Sequence, residues 1–156
     1  MNGAAGPPAT EVMLPLTALT FAAVLLPDSL CFRVEAPATV PAGEPVPIVL
    51  RLTNRTARVL TLTLQGRPLA YDVTVTSADG APVWRRLEGE VVSAILAVRT
   101  LEPGASLTFE AVWNGQDHGR PAHPGRYLVG GRLPTDNPSG LIARPAELRV
   151  LAVHQE

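Results

Sequence analysis

The side chains in this chain that could do chemistry are few and mostly scattered. The three histidines are His118, His123 and His154. Two of them, His118 and His123, share the polar stretch 114–124 with Asp117 and Arg120. Imidazole beside carboxylate is zinc-binding chemistry, but no H-x-x-x-H pair or C-x-x-C accompanies them, so no metal site is assigned. The same four residues suit a contact surface better. A connection of this length exceeds the 2–5 residues usual for a hairpin loop, and long loops on a rigid scaffold are where binding residues concentrate. Asp117, His118, Arg120 and His123 are therefore the candidate partner-binding residues, set against the plainer reading of a solvated loop. If they do bind, their histidines would make binding pH-sensitive between about pH 5 and 8, where imidazole ordinarily changes charge.

Nothing else converges. Cys31 is alone, which excludes an internal disulfide, and it reads as a small buried apolar residue. Asp72, in a Tyr-Asp-Val run, reads as an outward-facing strand residue or an acceptor that pins a loop. Arg85 and Arg86 are adjacent, so a strand would point them to opposite faces, one toward a carboxylate and the other toward solvent. There is no G-x-S-x-G, no phosphate-binding glycine loop and no motif with paired carboxylates. The chemistry therefore points to binding without catalysis and without a cofactor.

The elements that must position these residues are short strands. Leu107, Phe109, Ala111 and Trp113 share one face of a run. Tyr127, Val129, Gly131 and Leu133 share one face of another, both with the period of two expected of half-buried strands. Glu102-Pro103-Gly104-Ala105 and His123-Pro124-Gly125-Arg126 both predict type II turns, with proline presetting φ and glycine supplying a positive φ. Val46, Ile48, Leu50 and Leu52 alternate in a strand whose start Pro45 and Pro47 place at a sheet edge. Leu60, Leu62 and Leu64 alternate with threonines. Tyr71, Val73 and Val75 alternate with Asp72, Thr74 and Thr76. Residues 87–99 predict a loop and then a strand over 94–100. The last strand runs over 146–153. Turns at 78–81 and 134–140 are expected at the opposite end from 114–124. Asn54-Arg55-Thr56 matches a glycosylation sequon. Eight or nine strands with turns every 8–12 residues predict an all-β, antiparallel β-sandwich in a single domain, with Trp84 and Trp113 as core anchors.

This pattern carries a family resemblance. V-W-R at 83–85, Gly89, L-x-P-G at 101–104, Trp113, a glycine-containing loop and P-G-x-Y at 124–127 resemble the BsuPI family of intracellular proteinase inhibitors. Tyr71-Asp72-Val73-x-Val75 and Asp79-Gly80 resemble that family's lead-in to its V-W. The likeness spans roughly residues 68–133. It implies an immunoglobulin-like sandwich that binds a protein, a serine protease in the sharpest version. The chain departs from the pattern at Arg86, where members often carry an aromatic, near Val92, where they often carry phenylalanine, and at Ala94, where they often carry glutamine.

Composition narrows the alternatives. One domain is expected from 156 residues, and the net charge of −1 leaves no electrostatic footprint for nucleic acid. Sixteen prolines and 13 glycines argue against long helices. The chain divides into an N-terminal segment, 1–29, and a sandwich domain, 30–156. Within the former, residues 12–27 are apolar and uncharged but short of the ~20 residues of a membrane span. They suit either a targeting segment, without the usual basic flank, or an extra strand or apolar arm packed on the domain. Membrane association stays open on that account, with a cytoplasmic location favoured over export. The second functional reading is an immunoglobulin-like accessory or scaffolding module of the bacterial cell envelope. A carbohydrate-binding sandwich is weaker, since aromatics make up only 4% and the core needs them.

Overall fold

The structure is a computed structural model and describes residues 29–154. The expectations for residues 12–27 lie outside that range. The described residues form thirteen strands: β1 (Leu30–Glu35), β2 (Thr39–Pro41), β3 (Val46–Asn54), β4 (Leu60–Gln65), β5 (Asp72–Ser77), β6 (Pro82–Arg85), β7 (Leu96–Leu101), β8 (Ser106–Trp113), β9 (Gln116–Asp117), β10 (Arg120–Pro121), β11 (Gly125–Leu133), β12 (Leu141–Ile142) and β13 (Ala146–Leu151). The count exceeds the expected eight or nine because β9, β10 and β12 are two-residue strands inside predicted loops and β2 is a three-residue strand. Among the described residues, no helix is long and apolar enough to cross a membrane.

The strands make an antiparallel sandwich. One sheet has the order β1-β3-β8 and the other β2-β13-β11-β5-β6, while β4 pairs with β7 in a separate ladder. The first part of the chain divides between the sheets: β1 lies antiparallel to β3, and β2 lies parallel to the last strand, β13. That division, with the chain crossing repeatedly between layers, is immunoglobulin-like topology. β3 is a middle strand, yet its one proline, Pro47, is accommodated, and Pro45 precedes it. β1 stops at Glu35 opposite Val49, so at Pro47 the side of β3 toward β1 is locally an edge.

Alternation builds the core. Val46, Ile48, Leu50 and Leu52 of β3 face Tyr127, Val129 and Leu133 of β11 and Leu148 and Val150 of β13, all buried. A second cluster, Leu52, Leu62, Leu64, Leu101 and Leu133, closes the sandwich under the β4–β7 ladder. Trp113 is fully buried and packs on Tyr127 at 5.8 Å between ring centroids. Trp84, the other expected anchor, is only half-buried, because β6 is an edge strand. Cys31 is likewise half-buried, on the edge strand β1, rather than a core residue.

Asn54 ends β3 at 0% exposure. Its side-chain amide donates to the carbonyls of Arg58 and Leu101 at 2.6 and 2.8 Å, and its Oδ1 accepts from the backbone N–H and hydroxyl of Thr56. The sequon match is thus a buried polar lock on the 54–58 turn, and its nitrogen is not free for a glycan. The 102–105 turn forms as expected, with Gly104 at φ +76 and the Ala105 N–H donating to the Glu102 carbonyl at 3.0 Å. The 123–126 turn differs. Gly125 has φ +154 and opens β11, and the His123 carbonyl accepts instead from the Tyr127 hydroxyl at 2.7 Å. A strand tyrosine bonding back to the preceding corner is a device of immunoglobulin-like sandwiches.

Candidate partner-binding surfaces

Residues 114–124 are not an open loop. The buried Trp113 donates its indole N–H to the Gln116 carbonyl at 3.0 Å, and the Gln116 N–H donates to Asn114 Oδ1 at 3.1 Å. Gly115 sits at φ +73, where a Cβ would lie 2.4 Å from the Glu44 carbonyl oxygen, so only glycine fits. β9 and β10 then pair, Gln116 opposite Pro121 and Asp117 opposite Arg120. His118 (φ +48) and Gly119 (φ +78) connect them, the pair of positive φ values that a two-residue type I′ hairpin turn requires. The Ala122 N–H closes back on the Gly115 carbonyl at 2.9 Å, and the Ala122 side chain is buried.

The structure therefore sets the four candidate residues on one projecting hairpin and its base. His118 is at the tip, its side chain 92% exposed and its Nε2 3.6 Å from Asp117 Oδ1. Asp117 is half-buried, and its Oδ1 accepts no hydrogen bond. Burial, and secondarily the charge of Asp117, pushes the Tyr127 hydroxyl pKa up. Arg120 is exposed and makes no ion pair among the described residues. His123 is exposed at the base, where its carbonyl takes the Tyr127 hydroxyl. The turn at 78–81 lies at this same end, contrary to expectation. β5 runs antiparallel to β11 with Ser77 opposite Tyr127, which carries 78–81 toward the hairpin.

The other end is built around Asp72, a buried acceptor rather than an outward-facing residue. Arg85 Nε donates to its Oδ2 at 2.6 Å, and the Leu87 N–H donates to its Oδ1 at 3.2 Å. Arg86 does not face solvent. It donates to the Tyr71 carbonyl at 2.6 Å and lies 3.6 Å over the Tyr71 ring. A planar guanidinium stacks on a ring as an aromatic would, which gives a physical account of the departure from the family pattern at that position. Together these contacts fix where the chain leaves β6.

Beyond that point the chain is apolar and uncovered. Val91 is 98% exposed, and Ile95, Leu96 and Val98 are each at least half exposed. The run V-V-S-A-I-L-A-V at 91–98 is the sequence signal for this surface. It is an ambiguous signal, because an apolar run ordinarily means burial. The predicted strand here begins two residues late, at Leu96, and ends at Leu101.

A cleft of about 400 Å³ runs between Arg85, Arg132 and Ile142. Its guanidinium groups are committed, Arg85 to Asp72 and Arg132 to the carbonyls of Pro138 and Ser139. Among the described residues, no three of His, Cys, Asp and Glu gather where they could hold a metal ion.

The BsuPI family, described as intracellular proteinase inhibitor, matches residues 34–137. No curated protein matches the chain. Among solved structures, the chain is similar to the alkylpurine DNA glycosylase AlkC of Pseudomonas fluorescens bound to DNA containing an abasic site analog. The identity is 17% over 80% of this chain and 31% of that one, with a TM-score of 0.44. It is also similar to a β-glucosidase from Listeria innocua (14% identity, 78% of this chain, 16% of that one, TM-score 0.40). A CARDB domain from Pyrococcus furiosus shows 13% identity over 79% of this chain and 94% of that one, with a TM-score of 0.42. The chain thus spans less than a third of the glycosylase and of the glucosidase.

Proposed function

The chain belongs to the BsuPI family, the intracellular proteinase inhibitors, and we propose that it binds a serine proteinase and blocks it by occlusion, with no chemistry of its own. The observation that carries this reading is the family match, which runs from Val34 to Asn137 and takes in β2 to β11. The domain from residue 30 onward is the binding unit in this proposal, and its location is the cytoplasm, in keeping with the family description.

The contact is assigned to the β9–β10 hairpin, through Asp117, His118 and Arg120, with His123 at its base. Three features support that assignment. The tip projects, its backbone is closed by hydrogen bonds and so loses little freedom on binding, and His118 and Arg120 are exposed. Stable inhibitor interfaces take about 800 Å² from each partner, so the neighbouring 78–81 turn would share the contact.

The test is a titration of bacterial serine proteinases with the full chain, read with a fluorogenic peptide substrate. The expected result is saturable loss of activity at near-equimolar inhibitor, with the inhibitor uncut. The His118→Ala/Arg120→Ala variant should keep its thermal stability and bind at least tenfold more weakly, about 1.4 kcal/mol. A chain that is simply digested, or that leaves every proteinase active at large excess, returns the reading to the accessory module of the cell envelope.

A further inference from the structure

The surface around β7 is unfinished. Among the described residues β7 pairs only with β4, and the two strands present one face inward and one outward. Leu62, Leu64 and Leu101 are buried on the inner face. The outer face follows from the register, which sets Thr61 opposite Thr100, Thr63 opposite Val98 and Gln65 opposite Leu96. Val59 precedes Thr61 with the same parity. Not one residue of this face is charged, and Val59, Leu96 and Val98 are 50%, 50% and 62% exposed. Val91 and Ile95 extend the apolar area beyond the strand. An uncharged sheet face with exposed branched side chains is what a covered face looks like when its cover is missing.

The start of the described chain lies at one end of this face. The Ser29 carbonyl accepts the Arg55 N–H at 3.1 Å, and Leu30 pairs with Asn54. Asn54 in turn donates to Leu101, the residue that closes the β4–β7 ladder opposite Leu60. Only Asp28 separates that point from residues 12–27, sixteen residues of sequence V-M-L-P-L-T-A-L-T-F-A-A-V-L-L-P with no charge. Fully extended, sixteen residues reach about 50 Å, well beyond the ~20 Å length of a six-residue strand.

We propose that residues 12–27 of the same chain cover the outer face of the β4–β7 ladder, with Phe21, Leu25 and their apolar neighbours seated over Val59, Leu96 and Val98. Charge and reach both favour this occupant: the face and the segment are each uncharged, and the segment joins the domain at the margin of the face. The proposal is independent of proteinase inhibition.

The test uses the full chain carrying a photo-crosslinking benzoylphenylalanine at Val98, irradiated at low micromolar concentration and mapped by mass spectrometry. A control chain carries the same group at Val112, equally exposed on β8. The expected product is an intramolecular crosslink from position 98 into residues 12–27, absent from the control. A crosslinked dimer, or yield no higher than the control, overturns the proposal. As a second measurement, Phe21→Asp with Leu25→Asp in the full chain should speed amide exchange in Leu96–Leu101 at least tenfold and leave β3 unchanged. Equal exchange in parent and variant would also overturn it.

Discussion

At one end of the sandwich, residues 114–124 present Asp117, His118 and Arg120 on a hairpin whose backbone is tied to itself, to Trp113 and to Tyr127. At the other end, residues 88–98 present Val91, Ile95, Leu96 and Val98 on chain held mainly where it leaves Arg85, Arg86 and Leu87. Exposure means different things in the two places. Polar tips can stay in water at no cost, so the hairpin needs no cover. Exposed apolar area costs free energy in proportion to its extent, so the β7 region would gain stability from being covered. The composition of an exposed segment, and not its exposure alone, separates the two.

The largest predicted effect removes the anchor of the polar end. Trp113→Ala should cost about 3–5 kcal/mol, a large share of a total stability of about 5–15 kcal/mol, measured by urea unfolding. Trp84→Ala, at a half-buried edge position, should cost clearly less. Equal costs would mean that the two tryptophans anchor alike and that the hairpin end has no special support.

Next comes the pin of the apolar end. Asp72→Ala leaves the Leu87 N–H without its acceptor and frees Arg85, at a cost of about 1–3 kcal/mol. Exchange should quicken in residues 86–95 and stay unchanged in Gln116–Asp117, which would show that the ends are separately supported.

The smallest effect belongs to neither end and serves as a control. Glu35 bridges Arg33 and Arg51, which face each other directly across β1 and β3. The Arg51 hydrogen bond, opposed by some desolvation and assisted by Arg33, holds the Glu35 carboxyl below its ordinary range. A lowered folded-state pKa adds stability that is complete above the ordinary glutamate value of about 4.3 and is lost as pH falls through the folded value. Glu35→Gln should therefore be slightly less stable than the parent at pH 7 and converge with it in acid. The exposure of the pair keeps the difference small. A constant gap across that range would contradict the assignment.

Much of this architecture is legible in the residues. Alternation locates the inner faces of β3, β5, β8 and β11, because a strand with one buried face must alternate. The 102–105 turn is legible because proline and glycine dictate its angles locally. Sequence reasoning fails where distant parts of the chain decide. The 123–126 corner is a local exception: the His123 carbonyl accepts from the Tyr127 hydroxyl four residues on, and Gly125 opens β11 instead of completing a type II turn. Burial of Asp72 and Asn54 depends on partners 13 and 47 residues away. The hairpin in 114–124 depends on Gly115 fitting against Glu44. Polarity and loop length alone mark the candidate contact residues, while the apolar surface at 91–98 has the sequence of an ordinary strand.

The most direct measurement is the hydrogen-exchange footprint of the full chain titrated with a serine proteinase, the partner proposed for it. The account predicts slowed exchange in Gln116–Asp117, Arg120–Pro121 and the adjacent 78–81 turn, with no change over 88–98. Protection confined to 88–98, with the hairpin exchanging as freely as in the unbound protein, would contradict it.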